Sequence, residues 1–368
     1  MSGRLPTEGT GAIGAGCMSG RLPTDSGAAG ASRVISPRWL LAIVALAGCR
    51  AVQPPMTTMA PKSDLAAWIH TLYLQVIAWD SLILILVGAL LALGLFRYST
   101  RAGPERKAPP ESHERLDLEV AWTVGPALVL LAIAIPTVRV TFRSEAKVPP
   151  ANALRVDVTA HQWWWEARYP GFGLVTANEI HLPAGRPVRL RLRSADVIHS
   201  FWVPQLGGKR DIIPGHANNI VLVPRVPGVY LGQCAEFCGL SHANMRFRVV
   251  VDSPEDFAKW KDHELSPAKS VEIVAANDPV RAGERIFASS PCVTCHTVSG
   301  VSAGHLAPDL SHFASRTTLA GGTLTNTPEN LSAWLRHPTA LKPGAQMPDL
   351  GLPPEQVGEL VAYLESLH

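Results

Sequence analysis

A chain of 368 residues is long enough for two or three domains. Its net charge of +3, from 33 basic and 30 acidic residues, leaves no basic field of the kind that recruits nucleic acid. The hydrophobic fraction of 47% is unevenly spread: long uncharged runs lie before Arg139, and later stretches are mixed.

The chain opens with MSGRLPT at Met1–Thr7 and repeats it at Met18–Thr24. These Gly/Ala-rich segments lack a core pattern, so they read as a short duplication and not a fold repeat, with Met18 or a later codon as the true start. Arg33 and Arg38 precede the apolar run Trp39 to Ala47, which ends in Leu46-Ala47-Gly48-Cys49. That is the layout of an export signal. It resembles a bacterial lipoprotein signal, which would leave Cys49 as a lipidated N-terminus; an uncleaved anchor is the alternative. Residues 1–48, with Cys17, are read as a leader outside the fold.

Residues 52–64 are rich in Pro, Met and Thr and read as an extended linker. Ser81 to Phe96 has no ionisable group, and a membrane span needs about 20 apolar residues. The first span must therefore reach back past Asp80, over about 70–96. Asp80 is costly inside a membrane unless it faces a neighbour or sits shallow. Arg97, Arg101, Arg106, Lys107 and Arg115 make the following loop basic, which predicts the cytoplasmic side. Val120 to Val138 gives a second run without charge, and the span is read as about 120–140. Glu119 lies at its cytoplasmic mouth. A hairpin over residues 49–142 leaves everything after Arg139 outside.

Over residues 143–251 the texture changes. Leu154 to Thr159, Val188 to Arg193 and Ile220 to Val223 alternate, with turn signals at Pro170-Gly171, Gly185, Pro214-Gly215 and Pro227-Gly228. Short alternating strands with such punctuation predict a β-sandwich or barrel. Residues 252–280 are polar and mixed, with short amphipathic pieces such as Phe257 to Trp260, and read as a linker. Residues 281–368 carry helical patterning, clearest at Val357, Leu360, Val361 and Leu364.

Two motifs carry chemistry. Cys234, Cys238, His242 and Met245 gather two thiols, an imidazole and a thioether on one short segment. Soft sulfur with imidazole selects copper, zinc or iron–sulfur, and a thioether tips the choice toward copper. A Cys234–Cys238 disulfide is the competing reading for an exported domain, but it leaves His242 and Met245 without a role. The second motif is Cys292-Val-Thr-Cys295-His296, the pattern that attaches haem covalently, with His296 forced near the iron. A thiol redox pair is its rival.

With His161-Gln-Trp163-Trp164-Trp165, the stretch Asp196 to Pro204 containing His199, and Leu206 to Gly215, the copper segment resembles cytochrome c oxidase subunit II, from the first span to about Val251. The resemblance implies two transmembrane helices followed by a cupredoxin-like Greek-key barrel. It implies a binuclear CuA centre bridged by Cys234 and Cys238, with His199 and His242 as terminal ligands. Met245 would be the weak thioether and Glu236 would offer its backbone carbonyl. Trp163 takes the place of the family's electron-entry tryptophan, with core packing of the indole as the main competing reading. The family has Trp-Tyr-Trp where this chain has Trp163-Trp164-Trp165. Glu119 matches an acid at the mouth of a proton pathway, and the Glu236 side chain matches a magnesium ligand at the subunit I boundary. Residues 281–368 resemble a small all-α class I cytochrome c, with Pro308-Asp309-Leu310 beside the proximal histidine and Met347 as sixth ligand, a pairing that raises the potential. His305, His312 and His337 are rivals for that position.

The resemblance implies an electron-entry subunit that takes electrons from its own haem c to CuA and on to subunit I, where oxygen is reduced with proton translocation. Expected partners are subunit I, subunit III, the membrane, and an upstream cytochrome or quinol–cytochrome c reductase donor. The expected location is the bacterial cell membrane, with both soluble domains on the periplasmic side. Tethering raises the local donor concentration to about millimolar. An independent copper-binding or copper-delivery protein needs no haem motif. A nitrous oxide reductase needs a large His-rich domain, and a quinol oxidase subunit II lacks the copper cysteines.

Overall fold

The computed structural model describes residues 55–98, 115–145, 149–268 and 278–368. The leader with Cys17 and Cys49, the loop residues Arg101, Arg106 and Lys107, and residues 269–277 of the expected linker lie outside the described residues.

Two long helices come first, α1 (Asp64–Tyr98, 35 residues) and α2 (Leu116–Ser144, 29 residues). At 1.5 Å per residue, α1 runs about 52 Å, beyond the hydrocarbon thickness of about 30 Å. Their apolar side chains have no protein cover, with Leu84 74% and Leu130 66% exposed. Such surface is stable only against an apolar environment, the bilayer or the helices of a membrane partner. The two expected spans therefore sit within longer helices, and Asp80 is exposed on α1.

The excess length of α1 has a structural use. Ser63 Oγ accepts from the Ala66 N–H at 3.0 Å, capping the helix, and donates to the Leu206 carbonyl at 2.6 Å. Asp64 Oδ1 accepts from the Val223 N–H at 2.7 Å, and the Arg225 N–H donates to the Lys62 carbonyl at 2.8 Å. Leu65 is buried in the core of the next domain. The end of the stretch read as an extended linker is thus stitched to the β-domain, because its polar groups find partners there.

That domain holds ten strands: β1 (Leu154–His161), β2 (Trp164–Tyr169), β3 (Leu174–Ala177), β4 (Glu179–Pro183), β5 (Val188–Ser194), β6 (His199–Trp202), β7 (Arg210–Ile212), β8 (Asn218–Leu222), β9 (Gly228–Cys234) and β10 (Arg246–Asp252). They form two five-stranded sheets, ordered β3-β2-β1-β5-β8 and β4-β10-β9-β6-β7. The β1–β5 and β4–β10 pairs are parallel and the rest antiparallel, giving the cupredoxin-like arrangement. Strand alternation builds the core: Val156, Val158 and Ala160 point inward from β1, and Leu190 and Leu192 from β5. Trp165, Phe201 and Phe247 meet at its centre, with ring centroids 4.7–5.7 Å apart.

The first half of the expected linker is an ordered helix, α3 (Pro254–Leu265), capped by Ser253. Phe257 is buried in the β-domain core, and Trp260 stacks on His181 with centroids 4.2 Å apart. Ser253, Phe257 and Trp260 supply the anchorage that orders this polar segment.

The C-terminal domain is helical, with α4 (Pro279–Ser289), α5 (Pro328–Arg336) and α6 (Pro354–Leu364) around Phe287, Leu331, Leu360 and Tyr363. On α6 the buried positions are Val357, Leu360, Tyr363 and Leu364, so Tyr363 takes a core place while Val361 lies half-buried. Helix α4 crosses α6 at Gly283, where a Cβ would lie 2.0 Å from the Glu359 carbonyl oxygen and 2.7 Å from the Tyr363 Cβ. Neither neighbour is a flexible side-chain end. Gly283→Ala is expected to part these helices and destabilise the domain by about 1–3 kcal/mol, measured as a lower thermal midpoint of the purified chain by circular dichroism.

Candidate metal and haem sites

Strand β9 ends at Cys234, a loop carries Cys238, and a single 3₁₀ turn (His242–Asn244) returns the chain to β10. His199 opens β6, which pairs with β9 through Phe201 and Cys234. This pairing brings a residue 35 positions away to the same end of the sheet. The Cys234 Sγ lies 3.8 Å from Cys238 Sγ, 3.8 Å from His199 Nδ1 and 3.2 Å from the Glu236 carbonyl oxygen. Cys238 Sγ lies 3.5 Å from His242 Nδ1 and 3.7 Å from Met245 Sδ. The structure thus sets all six expected ligand groups around the two sulfurs, with His199 and the Glu236 carbonyl against Cys234 and with His242 and Met245 against Cys238. Both cysteines are free, and a disulfide would need the sulfurs at about 2.05 Å.

The donor set fits a soft metal. His199, Cys234, Cys238 and Met245 are almost wholly shielded from solvent, as a site excluding water requires. The hydrogen bond from Cys238, ahead of that from His199, holds Cys234 far below the usual thiol range, while the Cys234 sulfur and burial push Cys238 up. Binding a soft cation would favour the thiolate forms and release protons.

Asp196, to which the sequence reading gave no role, orients this site. Its Oδ1 lies 2.7 Å from His199 Nε2, which turns Nδ1 toward Cys234. Its Oδ2 accepts from the Gln162 N–H at 2.6 Å. Burial alone would raise this carboxyl, but the His199, Val197 and Gln162 hydrogen bonds hold it below the usual carboxylate range. Its place three residues before His199 was the available signal.

The three tryptophans separate. Trp165 is wholly buried in the core, and Trp164 stacks on His161 with centroids 4.2 Å apart. Trp163 sits on the turn between β1 and β2 and donates Nε1–H to the Cys238 carbonyl at 3.0 Å. Gln162 Nε2 donates to the same carbonyl at 2.8 Å.

The other face of Trp163 walls a cavity of about 400 Å³, lined in the helical domain by Cys292, Cys295, His296 and Met347. Cys292 and Cys295 bound a single helical turn and are free thiols. His296 Nδ1 lies 2.7 Å from the Pro308 carbonyl, so this nitrogen donates and Nε2 is left as a ligand. Burial lowers the His296 pKa, keeping the ring neutral. The cavity's thiols, imidazole, thioether and apolar walls suit a haem. Of the rival ligands, His305 lines a separate small cleft, His312 packs against the His263 ring and His337 lies 3.0 Å from Asp349 on the surface. None of the three lines the cavity.

Two other expected residues stand apart from these centres. The Glu236 side chain is exposed, with only its carbonyl turned toward Cys234. Glu119 is exposed in the first turn of α2.

Comparison with known proteins follows the same division. A family model for the transmembrane domain of cytochrome c oxidase subunit II matches residues 57–140, one for its periplasmic domain matches residues 171–253, and a cytochrome c model matches residues 280–368. The chain is 35% identical over 327 residues to cytochrome c oxidase subunit 2 of Alkalihalophilus pseudofirmus, covering 88% of this chain and 93% of that protein. It is 34% identical over 341 residues to the same subunit of Bacillus sp. strain PS3, covering 88% and 94%. A crystal structure of the periplasmic domain of cytochrome oxidase subunit II from Bradyrhizobium japonicum is similar at 30% identity and a TM-score of 0.31, over 32% of this chain and 96% of that one.

Asp196→Asn keeps the size of the side chain but removes the carboxylate that orients His199. It is expected to weaken copper retention by about 10–100-fold, read by competition with a chelator.

Proposed function

Because this chain belongs to the cytochrome c oxidase subunit II family, we propose that it is the electron-entry subunit of a terminal respiratory oxidase, passing electrons from its own covalent haem c to a binuclear copper centre and on to subunit I. As a member of that family it is a membrane-anchored component of a haem-copper oxidase with an electron-transfer role, and it carries a cytochrome c domain. Oxygen reduction and proton translocation would lie in subunit I.

The observation that carries the reading is the position of Trp163. Its indole N–H bonds the carbonyl of Cys238, and its ring walls the cavity that holds Cys292, Cys295, His296 and Met347. One side chain therefore touches both candidate centres.

When bound, copper and haem supply one-electron redox chemistry. The residues supply the rest. Cys234 and Cys238 would bridge two copper ions, with His199, His242, Met245 and the Glu236 carbonyl completing the set. Asp196 holds His199 in the ligating orientation, and burial of the sulfurs limits solvent reorganisation. Cys292 and Cys295 would hold a haem covalently, Pro308 sets the His296 tautomer, and His296 and Met347 would be the residues that hold its iron.

Several finer readings go with this one. The exposed Glu236 carboxylate would serve magnesium where subunit I docks, and Glu119 would mark the entrance of a proton path. Both soluble domains would face the periplasm, and Cys49 would carry lipid. Subunit III and an upstream cytochrome or quinol–cytochrome c reductase would complete the partners. The domain divisions at residues 142, 251 and 280 belong to the same proposal, with α3 reassigned to the copper domain.

Metal analysis and electron paramagnetic resonance on the purified intact chain are expected to give two coppers as one mixed-valence centre and one covalent haem. A single mononuclear copper, or zinc in its place, would overturn the electron-entry reading. Met347→Leu is expected to abolish the methionine–iron absorption band while haem stays covalently attached; an unchanged spectrum rejects Met347 as the ligand.

A further inference from the structure

The helical domain contains one buried cation that none of this chemistry uses. Lys342 is only 4% exposed, and its Nζ donates to the Trp163 carbonyl at 2.6 Å and to the Ala320 carbonyl at 3.0 Å. Among the described residues no carboxylate pairs with it. Burying an amine this way is costly, and an apolar side chain would fill the space more cheaply. Packing alone therefore does not account for a lysine here.

The backbone around it is shaped to admit the contact. Gly321 has φ +69, and a Cβ there would lie 2.4 Å from Lys342 Nζ and 2.8 Å from the Trp163 carbonyl oxygen. Gly344 has φ +82, and a Cβ there would lie 2.9 Å from the Trp163 ring. Between them in space, the Pro343 carbonyl accepts from Ser241 Oγ, next to His242. Three consecutive residues, Lys342 to Gly344, thus touch the copper domain, and Met347 follows three positions later.

Resting on the reading of Trp163 as an electron-transfer residue, we propose that Lys342 is a positioning residue: by tying the Met347 loop to the Trp163 carbonyl, it holds the haem domain on the copper domain in the pose that transfers electrons. Burial pushes the amine's pKa down to about 7. Charged or neutral, it keeps at least two N–H donors, so both bonds survive titration. Docking of the domains does not depend on it alone. Glu179, itself buried, accepts from the Thr317 N–H at 3.0 Å and from the Thr317 and Thr318 hydroxyls at 2.6 and 2.8 Å, and Arg248 donates to Thr317 Oγ1 at 2.7 Å. Removing the lysine should loosen one seam and leave the other closed.

The test uses the intact oxidase complex carrying the native chain, K342M, K342R or E179Q, with haem-to-copper transfer followed after pulsed reduction. K342M is expected to slow transfer by about tenfold or more, as small misplacements of reacting groups do. It should also speed amide hydrogen exchange at Gly344 to Met347, with the copper resonance and the methionine–iron band unchanged. K342R should recover part of the rate, and E179Q should slow it less than K342M. Transfer in K342M at the native rate, or equal slowing by E179Q, overturns the proposal. If K342M fails to assemble, Gly344→Ala presses on the same tryptophan with the amine in place; slowed transfer supports the seam, and a native rate rejects it. A native complex that passes no electron from haem to copper overturns the electron-entry reading and this role together, whereas normal native transfer with an unaffected K342M overturns only the role of Lys342.

Discussion

Two sulfur atoms held 3.8 Å apart and kept from bonding to each other are the constraint around which the β-domain is arranged. Cys234 is fixed by the end of a central strand, and Cys238 by a loop whose carbonyl is tied to Trp163 and Gln162. A looser loop would let the thiols close to a disulfide in an oxidising compartment. Held as free thiols, the two sulfurs would instead be available to a soft metal.

The same constraint explains why the ligands come from strand ends and not from one helix. The spacing of Cys234, Cys238, His242 and Met245 is compatible with one helical face, but β9 and β10 force the segment into a loop that closes around a point. Only this leaves room for His199, delivered by the neighbouring strand and aimed by Asp196. Low solvent access strengthens the hydrogen bonds at the site, and those from Cys238 and His199 outweigh the burial that would raise the Cys234 thiol.

The contact between the two domains carries several polar bonds. Glu179, Arg248, Ser241 and Lys342 all place hydrogen-bonding groups there, each against a defined partner. Polar contacts of this kind set orientation more than affinity. Such a seam suits a relay, where the relative pose of two centres matters more than the strength of attachment. At the other end of the β-domain, Ser63 and Asp64 do the equivalent task for the membrane helix, so that the barrel cannot swing freely on α1.

Features encoded over short stretches were open to sequence reasoning. The spans follow from composition, the strands from alternation, and the cysteine, histidine and methionine ligands from local motifs, because each depends on residues a few positions apart. His199 was reachable only through a resemblance, since nothing local ties it to Cys234. Long-range placement belonged to the tertiary structure. The polar stretch after Asp252 reads as a linker until Phe257 and Trp260 are seen to have a β-domain to pack on. Trp163, Trp164 and Trp165 look alike in sequence, and only the turn between β1 and β2 sends one to the core, one onto His161 and one between the two centres. Lys342 meets Trp163 across 179 residues of chain, a pairing that no periodicity records. The physical reason is that propensity and spacing act through the backbone over a turn or two, whereas a buried amine chooses its partners only after two domains have closed around it.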